Sequence, residues 1–108
     1  VKVVCGEGGR CLYFSRSPIP FHRNQPYQGH LVHQGIYAYR FWALCAYVSY
    51  GQSFLERSEC LEQLRFLEMN LPLHSVEAHM PSIGVDSPED IRLAEDFHSR
   101  TMKTEEKR

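Results

Sequence analysis

Asp86 lies in the run Gly84-Val85-Asp86-Ser87-Pro88-Glu89-Asp90, a turn that leads into a proline-started helix. In open α/β sheets, ligands gather at the carboxyl ends of strands. A carboxylate there can give one oxygen to Mg²⁺ while waters and phosphates complete the octahedron. A plain helix-capping role for Asp86 stays open beside the metal role. Glu59, Glu62 and Gln63 are spaced three and four apart, which gathers them on one face of a helix. Two acids and an amide side by side suit a polyhydroxylated ligand. A solvated face, with Glu62 paired to Arg65 or to another basic residue, is the competing and commoner reading. Arg16 closes a strand-like run, and its planar fork matches a carboxylate or a phosphate. His33 and Tyr37 share a face if their segment is a strand, with Gly35 leaving room between them and Arg40 just beyond. An ordinary aromatic sheet face is the competing reading.

Other chemistries lack the residues they need. Cys5, Cys11, Cys45 and Cys60 form no CxxC pair, and His30 and His33 do not complete a zinc frame. There is no Gly-rich phosphate loop of either common type and no Ser-His-Asp arrangement. The net charge of -1 argues against a general nucleic-acid binder. No apolar run approaches the roughly 18–20 residues of a membrane span, and no signal-peptide pattern is present. The cysteines are expected as free thiols in a reducing cytoplasm, with two disulfides in a secreted protein as the alternative.

The elements that must position these groups follow from local pattern. Val1–Val4 and Cys11–Phe14 are two β-like runs joined by the turn Gly6-Glu7-Gly8-Gly9, a predicted hairpin. A proline-rich loop runs from Ser17 through Pro26 to Gly29. His33–Tyr39 alternates as a strand, and Phe41–Tyr50 reads as a short, largely buried helix stopped by Gly51. Ser53-Phe54-Leu55-Glu56 is a capping box opening the strongest helix, with Leu61, Leu64 and Leu67 on one side and Asn70 and Pro72 at its end. Leu73–Ala78 is a further predicted strand. Ser87 then caps a last helix with an Ile91, Ala94, Phe97 stripe, frayed from about Thr101. The order implies one α/β domain over residues 1–108, with a mixed sheet that contains a β-hairpin. The chain starts at Val1 inside a strand without methionine, so it reads as a fragment of a longer protein.

Five blocks, taken in order, resemble one family. They are Val1-Lys2-Val3-Val4, Leu12-Tyr13-Phe14-Ser15-Arg16-Ser17-Pro18-Ile19-Pro20, His33-Gln34-Gly35-Ile36-Tyr37-Ala38-Tyr39-Arg40, Leu61-Glu62-Gln63-Leu64-Arg65 and Gly84 to Asp90. Together they resemble the C-terminal half of 3-deoxy-manno-octulosonate (Kdo) cytidylyltransferases, the CMP-Kdo synthetases, out to about residue 98. The resemblance implies a Rossmann-like nucleotidyltransferase fold and transfer of CMP from CTP to Kdo with release of pyrophosphate, for lipopolysaccharide biosynthesis. It implies a cytoplasmic, magnesium-dependent homodimer. It assigns Arg16, His33, Tyr37, Glu62 and Gln63 to the Kdo pocket. It assigns Asp86 to catalysis through Mg²⁺, shared with an aspartate outside this chain. The family's phosphate loop, cytosine pocket and other metal-binding aspartate have no counterpart here, so the chain alone is expected to be inactive. A non-catalytic fragment that binds the sugar acid or only dimerises is the alternative. A sialic-acid cytidylyltransferase is a third reading, set against the joined Leu61–Arg65 and Gly84–Asp90 blocks.

Overall fold

The computed structural model describes residues 1–24, 29–78 and 83–105, with side chains through residue 100. The middle of the proline-rich loop, with Pro26, lies outside the described residues. The chain divides into two compact units, Val1–Val76 and Glu77–Arg108.

The first unit is built on the predicted hairpin. β1 (Lys2–Cys5) pairs antiparallel with β2 (Cys11–Ser15), from Lys2 opposite Ser15 to Cys5 opposite Cys11. Its β-branched and aromatic side chains suit a half-buried pleated surface. A short 3-10 turn, Glu7–Gly9, joins the strands. Gly9 is required there: its φ is +76°, and a Cβ would stand 2.6 Å from the Ser75 carbonyl oxygen. β3 (Leu31–Val32) pairs antiparallel on the other side of β1, giving the order β2-β1-β3. Every ladder among the described residues is therefore antiparallel, and the expected mixed sheet is corrected to that extent.

Two predicted strands contract. His33 still donates its backbone N–H to the Val1 carbonyl at 3.0 Å. Beyond it the chain turns, with Ile36 N–H bonded to the Gln34 carbonyl. His33–Tyr39 is thus not a strand. Leu73–Ala78 shrinks to one bridge, His74 opposite Arg10, flanked by bonds from Cys11 N–H to the Leu73 carbonyl and from Ser75 N–H to the Gly9 carbonyl. The hairpin turn ends the available edge at that point.

The long predicted helix is broken in two, α2 (Phe54–Glu59) and α3 (Leu64–Glu68). The Glu56 carboxylate accepts the Ser53 N–H at 3.1 Å, which fixes the start of α2. Cys60 ends it in the left-handed region, at φ 51°. The break is stabilised from β2. The Arg16 guanidinium donates to the carbonyls of Glu59 (2.7 Å) and Cys60 (3.0 Å), so groups freed by the lost helical turn keep partners. Asn70, at φ 58°, closes α3 as expected. The core under these elements is Val3, Cys11, Phe14, Leu61 and Leu64, with Leu64 fully buried.

α1 (Phe41–Tyr50) forms where predicted but is not largely buried. Phe41, Trp42, Leu44, Val48 and Tyr50 are all exposed, and no α1 residue is fully buried. The described part of the first unit does not supply enough surface to cover so apolar a helix.

In the second unit, α4 spans Pro88–Glu105. One oxygen of the Asp90 carboxylate accepts the Ser87 N–H (2.9 Å), the Ser87 hydroxyl (2.8 Å) and the Asp86 N–H (3.2 Å). An anion there also opposes the positive end of the helix dipole. Of the predicted stripe, Ala94 and Phe97 are half-buried and Ile91 is exposed. No helix among the described residues is long and apolar enough to cross a membrane.

Candidate functional site

The α2–α3 break places the candidate residues of the first unit. Glu59 does not share a helical face with Glu62 and Gln63. Its carboxylate instead accepts the Ser15 hydroxyl at 2.6 Å and the Arg16 N–H at 3.0 Å. These bonds, Ser15 first, hold its carboxyl below the ordinary carboxylate value. Glu59 is thus a latch between β2 and α2, with its acceptors already occupied. Glu62 and Gln63 fall in the turn between the two helices, Glu62 exposed and Gln63 almost fully buried. The Gln63 side-chain nitrogen has no hydrogen-bond partner among the described residues. A buried amide donor left unmet costs about 1–3 kcal/mol, which marks a group waiting for an acceptor.

His33 and Tyr37 meet even though their segment is not a strand. The Tyr37 hydroxyl and His33 Nε2 share a hydrogen bond of 2.5 Å. A row of rings fixes both. Phe14 sits edge-on to His33, with centroids 5.6 Å apart. Tyr37 stacks on Tyr39 (5.6 Å), Tyr39 on Phe66 (4.9 Å), and Phe66 on Tyr47 (4.6 Å). These separations are those of favourable aromatic pairs. The row ends at Arg65, whose guanidinium carbon lies 3.9 Å above the Tyr47 ring. Arg65 in turn grips the Glu56 carboxylate through two bonds, of 2.7 and 2.6 Å. The sequence reading missed this row. Its one legible signal was the pairing of Tyr37 with Tyr39; the contributions of Phe66 and Tyr47 come from other elements.

The electrostatics follow from this packing. Burial favours the neutral imidazole and pushes His33 below its ordinary value. Burial also raises Tyr37, and the nearby charges of Tyr39 and Glu62 add to the effect. The Glu62 charge also raises His33, Tyr39 and Tyr47, as a minor cause in each. Arg16, at the end of β2, reaches the residues just before Leu61-Glu62-Gln63. Two of its nitrogens are engaged there, and Nη1 makes no hydrogen bond among the described residues. Arg40 begins α1, its carbonyl accepting the N–H groups of Ala43 and Leu44. A separate cleft of about 340 Å³ is lined by Gln52, Glu56, Arg57, Cys60, Leu61 and Glu62. It takes in Glu62 but not Arg16, His33 or Tyr37.

Asp86 belongs to the second unit. It is exposed, and its carboxylate accepts no hydrogen bond among the described residues. The capping that sequence allowed it is performed by Asp90. A hard, unencumbered oxygen ligand of this kind fits Mg²⁺, which is commonly held by one or two carboxylates and completed by water and phosphate. The described residues contain no group of three or more His, Cys, Asp or Glu side chains able to hold a metal by themselves.

The family model that matches the chain is that of the cytidylyltransferases, over residues 1–78. The 3-deoxy-manno-octulosonate cytidylyltransferase of Oleidesulfovibrio alaskensis is 50% identical over 95 residues, covering 84% of this chain and 37% of that protein. The enzyme of the same name from Acidobacterium capsulatum is 47% identical over 96 residues, covering 88% of this chain and 39% of that one. A solved structure of CMP:2-keto-3-deoxy-manno-octonic acid synthetase complexed with CTP superposes with a TM-score of 0.83 at 37% identity, covering 93% of this chain and 42% of that one. The chain therefore spans about two fifths of the length of the relatives it matches. The α/β architecture, the hairpin and the latched α2–α3 turn are the corresponding part of that fold, and the chain belongs to the cytidylyltransferase family.

Proposed function

We propose that this chain is the sugar-acid side of a Kdo cytidylyltransferase, which moves CMP from CTP to 3-deoxy-manno-octulosonate and releases pyrophosphate. The observation that carries this is Gln63, a buried amide donor without a partner among the described residues, in the turn between α2 and α3. Exposed Glu62 stands beside it, and the neutral His33–Tyr37 pair lies within reach of Glu62's charge. An acid, an amide, an imidazole and a phenol together offer both acceptors and donors to sugar hydroxyls. Arg16, with Nη1 unengaged among the described residues, supplies a cation for the sugar's carboxylate.

In the reaction, the anomeric hydroxyl oxygen of Kdo forms a bond to the α-phosphorus of CTP. The bond from that phosphorus to the pyrophosphate oxygen breaks, and the hydroxyl gives up its proton. The residues of this chain orient the sugar so that the hydroxyl faces phosphorus, and positioning of this kind supplies much of a rate enhancement. Asp86 would hold Mg²⁺ together with an aspartate outside this chain. Bound there, the ion would offset negative charge on the phosphate oxygens. Binding of CTP is assigned to the part of the relatives that this chain does not match. A cytoplasmic homodimer serving lipopolysaccharide biosynthesis completes the proposal, and the exposed apolar residues of α1 support a covered face. The same exposed face favours the second reading, a fragment that only pairs with another chain.

The test is pyrophosphate release with CTP, Kdo and Mg²⁺. The chain alone should be inactive. Adding the unmatched N-terminal portion of a relative should restore turnover, and Asp86→Ala should abolish it. Turnover by the chain alone would refute the division of labour, and undiminished turnover in Asp86→Ala would refute the metal role.

A further inference from the structure

Cys5 and Cys11 face each other across the hairpin as the last register pair of β1 and β2, just past an irregularity at Val4/Cys5. The Cys11 N–H points away from Cys5, to the Leu73 carbonyl at 2.8 Å, while the next pair is joined by Gly6 N–H to the Arg10 carbonyl. Cys5 and Cys11 are therefore a non-hydrogen-bonded pair, the closer of the two antiparallel arrangements, with Cα atoms about 4.5 Å apart. That separation falls inside the range that a disulfide spans. Both thiols are also tied to the Gly9 carbonyl, Cys5 by way of Ser75 and Cys11 directly. Cys5 Sγ and the Ser75 hydroxyl share a contact of 3.2 Å, and the Ser75 hydroxyl donates to the Gly9 carbonyl at 3.1 Å. The Cys11 thiol donates to that same Gly9 carbonyl at 4.0 Å. All four cysteines are free thiols, and of this pair Cys5 is half-buried and Cys11 buried.

We infer that Cys5 and Cys11 form an oxidation site, closing a disulfide across the hairpin when a small-molecule disulfide such as oxidised glutathione is supplied. The half-buried Cys5, as thiolate, attacks one sulfur of glutathione disulfide and releases a glutathione thiolate. The mixed disulfide on Cys5 is then attacked by the Cys11 thiolate, which releases the second glutathione. One disulfide is reduced, one dithiol is oxidised, and the two protein protons pass to the two departing thiolates. Burial raises the Cys11 thiol, with the Cys5 charge adding to it, so its thiolate is scarce near neutrality. The second step is accordingly faster at higher pH. The product would staple β2, the hairpin strand that leads into Arg16.

Cys45 and Cys60 are exposed, so the experiment uses a Cys45→Ser, Cys60→Ser chain. The folded chain is incubated with oxidised glutathione at about pH 8, quenched with acid, alkylated and weighed intact. The inference expects loss of both remaining thiols, a mass lower by about 2 Da and a linked Cys5–Cys11 peptide. Adding Cys11→Ser should arrest the reaction at one glutathione on Cys5. Two alkylated cysteines after this treatment, or a stable glutathione adduct on the chain that retains Cys11, would overturn it.

Discussion

Replacing Arg65 by methionine tests the ring row and the α2–α3 unit at their common anchor. Methionine keeps the length of the stem over Tyr47 but removes the two bonds to Glu56 and the bond from Nη1 to the Tyr47 carbonyl. The Arg65 side chain is only 13% exposed and that of Glu56 7%, so water cannot simply take over. Removing one member of a buried pair costs about 3–5 kcal/mol. The stranded Glu56 can escape by taking up a proton. Starting from its ordinary value of 4.5, that costs about 3.4 kcal/mol at pH 7, at 1.36 kcal/mol per pH unit. At pH 5 the same escape costs about 0.7 kcal/mol. In the wild-type chain the hydrogen bonds from Arg65 hold Glu56 below 4.5, so its contribution is present above that pH and is lost as pH falls through the lowered value. The deficit of the variant should thus be about 3 kcal/mol at pH 7 and about 1 kcal/mol at pH 5. Urea unfolding followed by circular dichroism measures it. A deficit below about 1 kcal/mol at pH 7, the value of an exposed pair, would refute the reasoning. So would a deficit that does not change between these two pH values.

Three other outcomes follow from single contacts. Gly9→Ala should destabilise the chain by at least about 2 kcal/mol, because it combines a φ of +76° with a Cβ 2.6 Å from a backbone oxygen; an unfolding midpoint equal to wild type would contradict the turn geometry. Leu64→Ala, at the one fully buried large side chain in the described core, should cost about 2–5 kcal/mol in the same assay. The His33 imidazole should titrate below 6.5 by NMR, since burial disfavours its charged form. Its contribution to stability is then present above pH 6.5 and lost on acidification, and a midpoint at or above 6.5 would show an imidazole open to water.

What could be read from the sequence was what short-range chemistry decides. The β1–β2 hairpin follows from two β-like runs around a glycine turn, and the starts of α2 and α4 from Ser53 with Glu56 and from Ser87 with Asp90. The break at Cys60 was not legible, because its cause is Arg16, 43 positions upstream of the Glu59 carbonyl it holds. Leu61, Leu64 and Leu67 keep helical spacing across a segment that is not one helix, so periodicity alone overrules the break. The alternation over His33–Tyr39 promised a strand, but the chain turns after His33, with the Ile36 N–H bonded to the Gln34 carbonyl. Several candidate residues come together although the elements proposed to carry them do not form. His33 and Tyr37 meet through a turn instead of a sheet face, and Glu62 and Gln63 sit together in a loop instead of on a helix. Glu59, chosen by the same spacing, is a latch to Ser15 and Arg16. Only side-chain geometry separates it from its neighbours.

The most direct test of the sugar-acid assignment is an NMR titration of the isotopically labelled chain with 3-deoxy-manno-octulosonate, without CTP or Mg²⁺. The account predicts saturable shifts centred on the Gln63 side-chain amide, the His33 ring and the Arg16 guanidinium, and their loss in Gln63→Leu with the rest of the spectrum unchanged. Shifts confined to other residues, or none at millimolar sugar acid with the chain folded, would contradict it.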